Sequence, residues 1–307
     1  MTAVNPSSSP SLVARLIETG AHQKLLAFAS LVLLLIGFSI ASPNFMQTSN
    51  MIAILQATSV NGVLAVAATL VIITGGIDLS VGTLMTFCAV IAGVVLTNLG
   101  MPLPLGVIAA IATGALCGLC SGTFIAKMKI PPFIATLGMM LILKGLSLVI
   151  SGTRPIYFND TPGFDLISRG SLIGDIFPAL PIPNGVLILF LVAGVASYIL
   201  GRTVLGRYTF ALGSNEEAVR LSGVNTDFWK MSVYALAGSI CGIAGILIAS
   251  RLNSAQPALG LGYELEAIAA VVIGGTSLSG GRGTVLGTLI GALIMAVLTN
   301  GLRVLSV

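Results

Sequence analysis

Four polar clusters interrupt a chain that is otherwise apolar. Asp78 sits in ITGGIDLSVG, between two hydrophobic runs. Gly75 and Gly76 let the backbone break there, which leaves Asp78 at a helix start with Ser80 two residues on. One chemistry for it is capping or gate architecture, the carboxylate accepting backbone N–H groups at a positive helix end. The other is a proton or cation site, although no second acid in the apolar runs faces it. The stretch SRLNSAQPALGLGYELEAIAA gathers Arg251, Asn253, Ser254, Gln256, Tyr263, Glu264 and Glu266. These groups suit the hydroxyls of a sugar or a docking protein. An ordinary loop before a helix capped near Glu264 accounts for them equally well. Gln56, Thr58 and Asn61 form a similar set in an earlier apolar run, where such groups also bond to neighbouring helices. The fourth cluster is GSNEEAVRLSG, Gly213 to Gly223. Ser214 or Asn215 can cap a short helix with Glu216 and Glu217 in its first turn and its end near Gly223.

Several chemistries are missing. There is no H-E-x-x-H, no G-x-S-x-G and no Cys with a plausible His base. The single His22 lies in a polar N-terminal stretch, so His-based catalysis is not expected. No Gly is followed by Lys, so the phosphate loop of an ATPase is missing too. If ATP drives this protein, another chain binds it, and no cofactor of its own is expected. Cys88, Cys117, Cys120 and Cys241 all lie in apolar segments. The C-x-x-C at Cys117 has no second pair and no His beside it, so small buried core residues are expected.

The elements that must position these residues are membrane spans. Of 307 residues 56% are hydrophobic and 8% charged, against about 25% charged in soluble chains. The 37 glycines suit close helix packing in lipid. An all-α, polytopic transmembrane bundle follows. Nine apolar runs are expected to span, the eighth (Leu265 to Leu278) being short for a full crossing. Residues 1–24 are expected to form a cytoplasmic tail before a single transmembrane domain, 25–307. Alternating from an inside N-terminus puts Arg15, Lys24, Lys127, Lys129, Arg202, Arg207, Arg220, Lys230 and Arg282 inside. Arg154, Arg169, Arg251 and Arg303 fall outside, and Lys144 lies within a span. The positive-inside rule favours this orientation. It makes segment 201–230 cytoplasmic and loop 151–184, rich in Pro and Asp, an external cap. The net charge of +4 forms no dense basic patch, so nucleic acid is not a partner.

GGIDLSVG, Gly75 to Gly82, echoes GGTSLSGG, Gly274 to Gly281. The shared G-G-x-x-L-S-x-G follows an apolar run in both places. It marks Gly75, Gly76, Gly274 and Gly275 as gate candidates and raises an internal repeat, as transporters often have. In segment 201–230, Val219, Leu221 and Phe228 are available to a partner's groove. A helix resting on lipid, which Trp229 also suits, is the alternative.

Glu217-Ala218-Val219, three residues, then Gly223 resembles the E-A-A-x-x-x-G coupling loop of ABC importer permeases, with Val in third place. VIITGGIDLSVG, FIATLGMMLILKG, LGRYTFALGSNEEAVRLSGVN and NSAQPALGLGYELEAIAAVVIGGTSLSGGRGTVLGTLIGALI are together similar to the ribose-type monosaccharide permeases. The likeness runs from about Pro43 to Gly301. It implies an inner-membrane permease, homo- or heterodimeric, fed by a periplasmic sugar-binding protein. Cytoplasmic ABC ATPase subunits would grip Glu216, Glu217, Ala218, Arg220 and Gly223 and drive alternating access. Asp78, Asn61, Asn253, Gln256 and the four glycines become candidates for the gate or route. Ribose is the first expectation, with xylose, galactose and arabinose as relatives' sugars. The competing class is a secondary transporter driven by protons or sodium, with Asp78 as its ion site. Members of the resembled family have ten spans and continue past NGL with another span and a basic tail. This sequence stops at Val307, so a missing or compensated last span is expected to affect the dimer or its outer packing.

Overall fold

In lipid every backbone polar group needs a partner within the protein, which helices supply locally. The structure is a computed structural model. It describes residues 21–306, so all but the last four residues of the expected tail lie outside the described residues. Among the described residues, seven helices are long and apolar enough to cross a membrane. They are α2 (Thr48–Ile73), α3 with its π-helical end (Val81–Asn98), α4 (Leu103–Ala126), α5 (Pro132–Ile150), α8 (Asn184–Arg202), α10 (Thr226–Leu252) and α12 (Val285–Val304). Helix α1 (Ala21–Ala41) carries a shorter apolar stretch, Leu25–Ala41.

α2 is the axis of the bundle. It is buried almost continuously from Thr58 to Ile73, as a helix apolar all round must be. It packs against α8, α10 and α12, and Thr69 pairs with Thr288 of α12 at 2.7 Å. α4 and α10 approach through glycine. A Cβ at Gly114 would strike the Gly238 carbonyl, and one at Gly118 the Tyr234 carbonyl. Gly122 lies against Met231. Small residues every fourth position let the two backbones touch. This arrangement corrects the expectation for the cysteines. Cys88 and Cys241 are buried, but Cys117 is half-buried and Cys120 exposed. The glycines take the packed face of α4, and Cys120 lies between them on the other side of the helix.

The expected span Leu265–Leu278 is not a helical crossing. α11 (Tyr263–Ile273) has 11 residues, about 16 Å of helix, against a hydrocarbon core of about 30 Å. The chain reaches its start through irregular backbone. Ser254–Ala255 (β2) pairs antiparallel with Ile156–Tyr157 (β1). The chain then runs into the bundle until Gly260 touches Gly82 and Leu259 accepts a hydrogen bond from Thr86 Oγ1 at 2.8 Å. That contact lies deep. Gly245 of α10 touches Met85, and it sits about 21 Å along α10 from Met231. So α3 also begins inside the protein, after the extended link that follows Gly76. Non-helical backbone at such depth is tolerated because protein, not lipid, surrounds it.

The cap over the β1–β2 face holds two short helices, α6 (Leu166–Arg169) and α7 (Leu172–Ile176). Phe158 and Phe164 stack at 3.9 Å and are fully buried. Ser250 Oγ accepts from Ser168 N and donates to the Asp165 carbonyl, which ties the cap to the end of α10. Lys144 is half-buried within α5, with no ion-pair partner among the described residues.

Candidate functional site

The GSNEEAVRLSG cluster lies at the end of α9 (Val204–Leu221), which breaks at Asn215, where φ is −162° and ψ 95°. Asn215 Oδ1 accepts from Ala218 N at 3.0 Å and starts a second short helix. Gly223, with φ +81°, follows that helix. Asn215 is therefore the capping residue, not Ser214. Arg220 Nη2 donates to both Glu217 carboxylate oxygens, at 2.7 and 2.6 Å, and the carboxylate raises the guanidinium pKa above its ordinary value. Glu216 bonds inward to Lys230 of α10 at 2.6 Å, and Asp227 to Lys129 at 2.7 Å. Leu221 is 80% exposed and Phe228 56%. Trp229 is half-buried against Tyr208, ring centres 4.8 Å apart. The result is a short helix, pinned at one end, that presents Glu217, Arg220 and Leu221 outward.

Behind it lies a glycine junction. Gly213 leaves no room for a Cβ beside the Ile73 carbonyl, and Gly281 N donates to that same carbonyl at 2.9 Å. A Cβ on Gly280 would lie 2.8 Å from both Gly213 O and Gly75 N. The two echoing glycine segments therefore meet at α9. They also end their helices alike. Gly75 N donates to Ile72 O and Gly76 N to Val71 O; Gly275 N donates to Val272 O and Thr276 N to Val271 O. Gly75 and Gly275 have φ +82° and +86°, as this helix-ending turn requires. After the turn the two paths differ. One enters the bundle past Asp78. The other turns at Gly280–Gly281 and starts α12 at the Thr284 cap. Gly274 packs against Gly287 of α12. Beside the junction, Thr74, Gly75, Gly76, Glu216, Lys230 and Tyr234 line a cavity of about 210 Å³.

Asp78 is buried, and its Oδ1 accepts both Ser80 N at 2.8 Å and Ser80 Oγ at 2.6 Å. The N-cap of α3 is Ser80. Asp78 acts one step upstream, holding the turn that feeds the helix. Glu264 braces the start of α11 from within its first turn. It is buried and accepts from Gly262 N at 3.0 and 3.1 Å. Each of the two helices that begin inside the protein thus carries an acid at its positive end.

The opposite half of the molecule holds a polar cavity of about 290 Å³. Its walls come from α2 (Ala53, Ala57, Asn61), the end of α10 (Arg251), the start of α11 (Tyr263, Glu266) and α12 (Thr299, Asn300, Arg303). Asn61 Nδ2 donates to Glu266 Oε2 at 2.6 Å, and Asn300 Nδ2 to Asn50 Oδ1 at 3.0 Å. Among the described residues neither guanidinium has an ion-pair partner. Asn300 Oδ1 is buried with no hydrogen bond.

Asn61 therefore joins Arg251, Tyr263 and Glu266, as the sequence hinted. Asn253 and Gln256 do not line this cavity. Asn253 ends α10 in the left-handed region and bonds to Asn159, and Gln256 bonds to Ser254. Thr58 is turned back to the Ile54 carbonyl. Sequence reasoning missed Thr299 and Asn300 and read Arg303 only as a topology charge. Their three- and four-residue spacing near the end of an apolar run was the available signal.

The family model described as "Branched-chain amino acid transport system / permease component" matches residues 50–307. The chain is 46% identical to the ribose import permease RbsC of Escherichia coli K12, covering 91% of this chain and 85% of that protein. It is 43% identical to RbsC of Bacillus subtilis, covering 94% and 87%. It is 41% identical to the fructose import permease FrcC of Rhizobium meliloti, covering 90% and 77%. No solved structure matches it. By both the matched model and these identities, the chain belongs to this family of membrane permease components.

Proposed function

We propose that the chain is the membrane-spanning permease subunit of an ATP-dependent monosaccharide importer, with a ribose-like sugar as cargo. The observation that carries this reading is the exposed, capped helix from Glu216 to Leu221, closed by Gly223, in a chain without a phosphate loop. Relatives named for ribose and fructose import support the substrate class. In this reading the α9 face is cytoplasmic, the N-terminus lies on the same side, and the membrane is the bacterial inner membrane. Separate ABC ATPase subunits bind ATP and grip Glu216, Glu217, Ala218, Arg220 and Gly223. Their motion enters the bundle at the Gly213 junction, where Gly75 and Gly280 meet. A periplasmic binding protein delivers sugar to the β1–β2 face, and a second permease, copy or homologue, completes the pathway.

Expression with the neighbouring transport subunits, purification and reconstitution test this. An ATP-binding subunit should co-purify, and labelled ribose uptake should require ATP. Replacing Glu217 and Gly223 together should abolish both, while Asp78→Asn should retain uptake. Uptake that follows an ion gradient with no ATPase present sinks the reading.

A further inference from the structure

The cavity around Glu266 combines groups that no simple ligand class satisfies alone. Two guanidiniums, Arg251 and Arg303, supply donors only; the Glu266 carboxylate accepts only. Asn300 adds a buried oxygen that has no partner. A simple anion would face Glu266, and a simple cation would face two guanidiniums; a zwitterion would answer both, but the cargo named for the relatives is a neutral sugar. An apolar solute would leave all of them unpaired, at the full desolvation cost of each group. A hydroxyl both donates and accepts, so a ring bearing several hydroxyls fits every wall. The cavity, about 290 Å³, is at the small end of ligand sites, about 300–1,000 Å³, which suits one sugar ring. Its Tyr263–Glu266 edge is the start of α11, one of the two helices that begin inside the protein. Transporter sites tend to form where helices break in this way.

We propose that this cavity is a monosaccharide-binding site of the permease itself, which reads hydroxyls during passage and adds selectivity to that of the delivering protein. The proposal rests on the importer reading above. Asn61 and Glu266 form one wall, and their bond, 205 residues apart in sequence, ties α11 to α2.

The complete importer in proteoliposomes, with its ATPase and binding protein, provides the test. Glu266→Gln and Arg303→Gln should each lower labelled ribose uptake by about tenfold or more, the scale on which an unpaired buried polar group is felt. ATPase activity stimulated by sugar-loaded binding protein should stay within about twofold of wild type, since these residues lie away from the coupling helix. Tyr263→Phe, which keeps the ring, should change the ratio of ribose to xylose uptake more than ribose uptake itself. Uptake within about twofold of wild type in both Gln variants overturns the proposal. Uptake and ATPase activity falling together also overturns it, because the residues would then support the fold. A wild-type importer with no ATP-dependent uptake overturns the importer reading first, and this proposal with it.

Discussion

The proposed coupling helix and the polar cavity are both polar islands in an apolar chain, yet their parts have travelled very different distances. In the coupling helix the decisive bonds are local. Asn215 reaches Ala218 and Glu217 reaches Arg220, each three residues on. In the cavity, Asn61 meets Glu266 across 205 residues and Asn50 meets Asn300 across 250. A surface that docks another protein must keep its shape with one side bare, so its own caps and pairs carry it. A site between helices exists only once the bundle has packed. Damage to the first should therefore spare the second, except at the glycine junction that joins α9 to the bundle.

The largest effect is expected at that junction. Gly213→Val puts a branched side chain where even a Cβ collides with the Ile73 carbonyl and Gly281 N. These obstacles are backbone, so rotamer changes give no relief. ATP-dependent uptake should fall more than about tenfold and the unfolding temperature in detergent should drop, as overpacking costs about 1–3 kcal/mol or more. Wild-type uptake from this variant would separate the two regions entirely and remove the proposed route of coupling.

Gly223→Ala sharpens the contrast at the docking end. Gly223 has φ +81° and open space around it, so the change adds backbone strain without a clash. The left-handed conformation costs a residue with a Cβ about 1–2 kcal/mol, or about five- to thirtyfold in the population of the ordered helix end. ATPase co-purification should weaken on that scale, while the thermal stability of the bundle stays unchanged. An equal loss of bundle stability would show that the coupling helix is part of the core.

The same difference in distance decided what the sequence disclosed. The capped helix after Asn215 was legible because each signal lies within a few residues of its effect: a capping Asn, acids in the first turn, a Gly at the end. The buried, glycine-rich bundle followed from composition and apolar run length. The short α11 did not, because an apolar run does not show whether its backbone is helical. Gln256-Pro257 and the glycines at 260 and 262 were the available signs of a break. Asn253 is a related case. A polar residue at the end of a span reads as a ligand group, whereas its left-handed backbone and bond to Asn159 make it a helix terminator. The cavity's α12 wall was invisible because only packing decides which face of that helix Asn300 and Arg303 share.

A smaller effect isolates the cap. Asn215→Ala removes the acceptor for Ala218 N, at about 1 kcal/mol for such a cap. Docking should weaken by about fivefold, less than for Gly223→Ala, since backbone N–H groups at an exposed helix end can turn to water. Asn215→Asp keeps an acceptor and should restore docking, which a steric explanation of the loss does not predict. A failure of Asp to rescue would move the role of Asn215 from capping to direct contact with the ATPase.

The smallest effect belongs to the Lys129–Asp227 pair. Its bond is short, 2.7 Å, but the two side chains are 60% and 36% exposed. Pairs this open contribute about 0.2–1 kcal/mol and are screened by salt. Lys129→Gln should therefore leave uptake and ATPase docking within about twofold of wild type. The Glu216–Lys230 bond makes a sharper comparison, since its lysine is only 16% exposed and borders the cavity beside Gly75. Lys230→Gln should cost more than Lys129→Gln in uptake measured side by side. If the two variants behaved alike, Glu216 would hold the coupling helix no more firmly than an ordinary surface charge. The link between α9 and the bundle would then rest on the glycine contacts at Gly213 and the Tyr208–Trp229 packing.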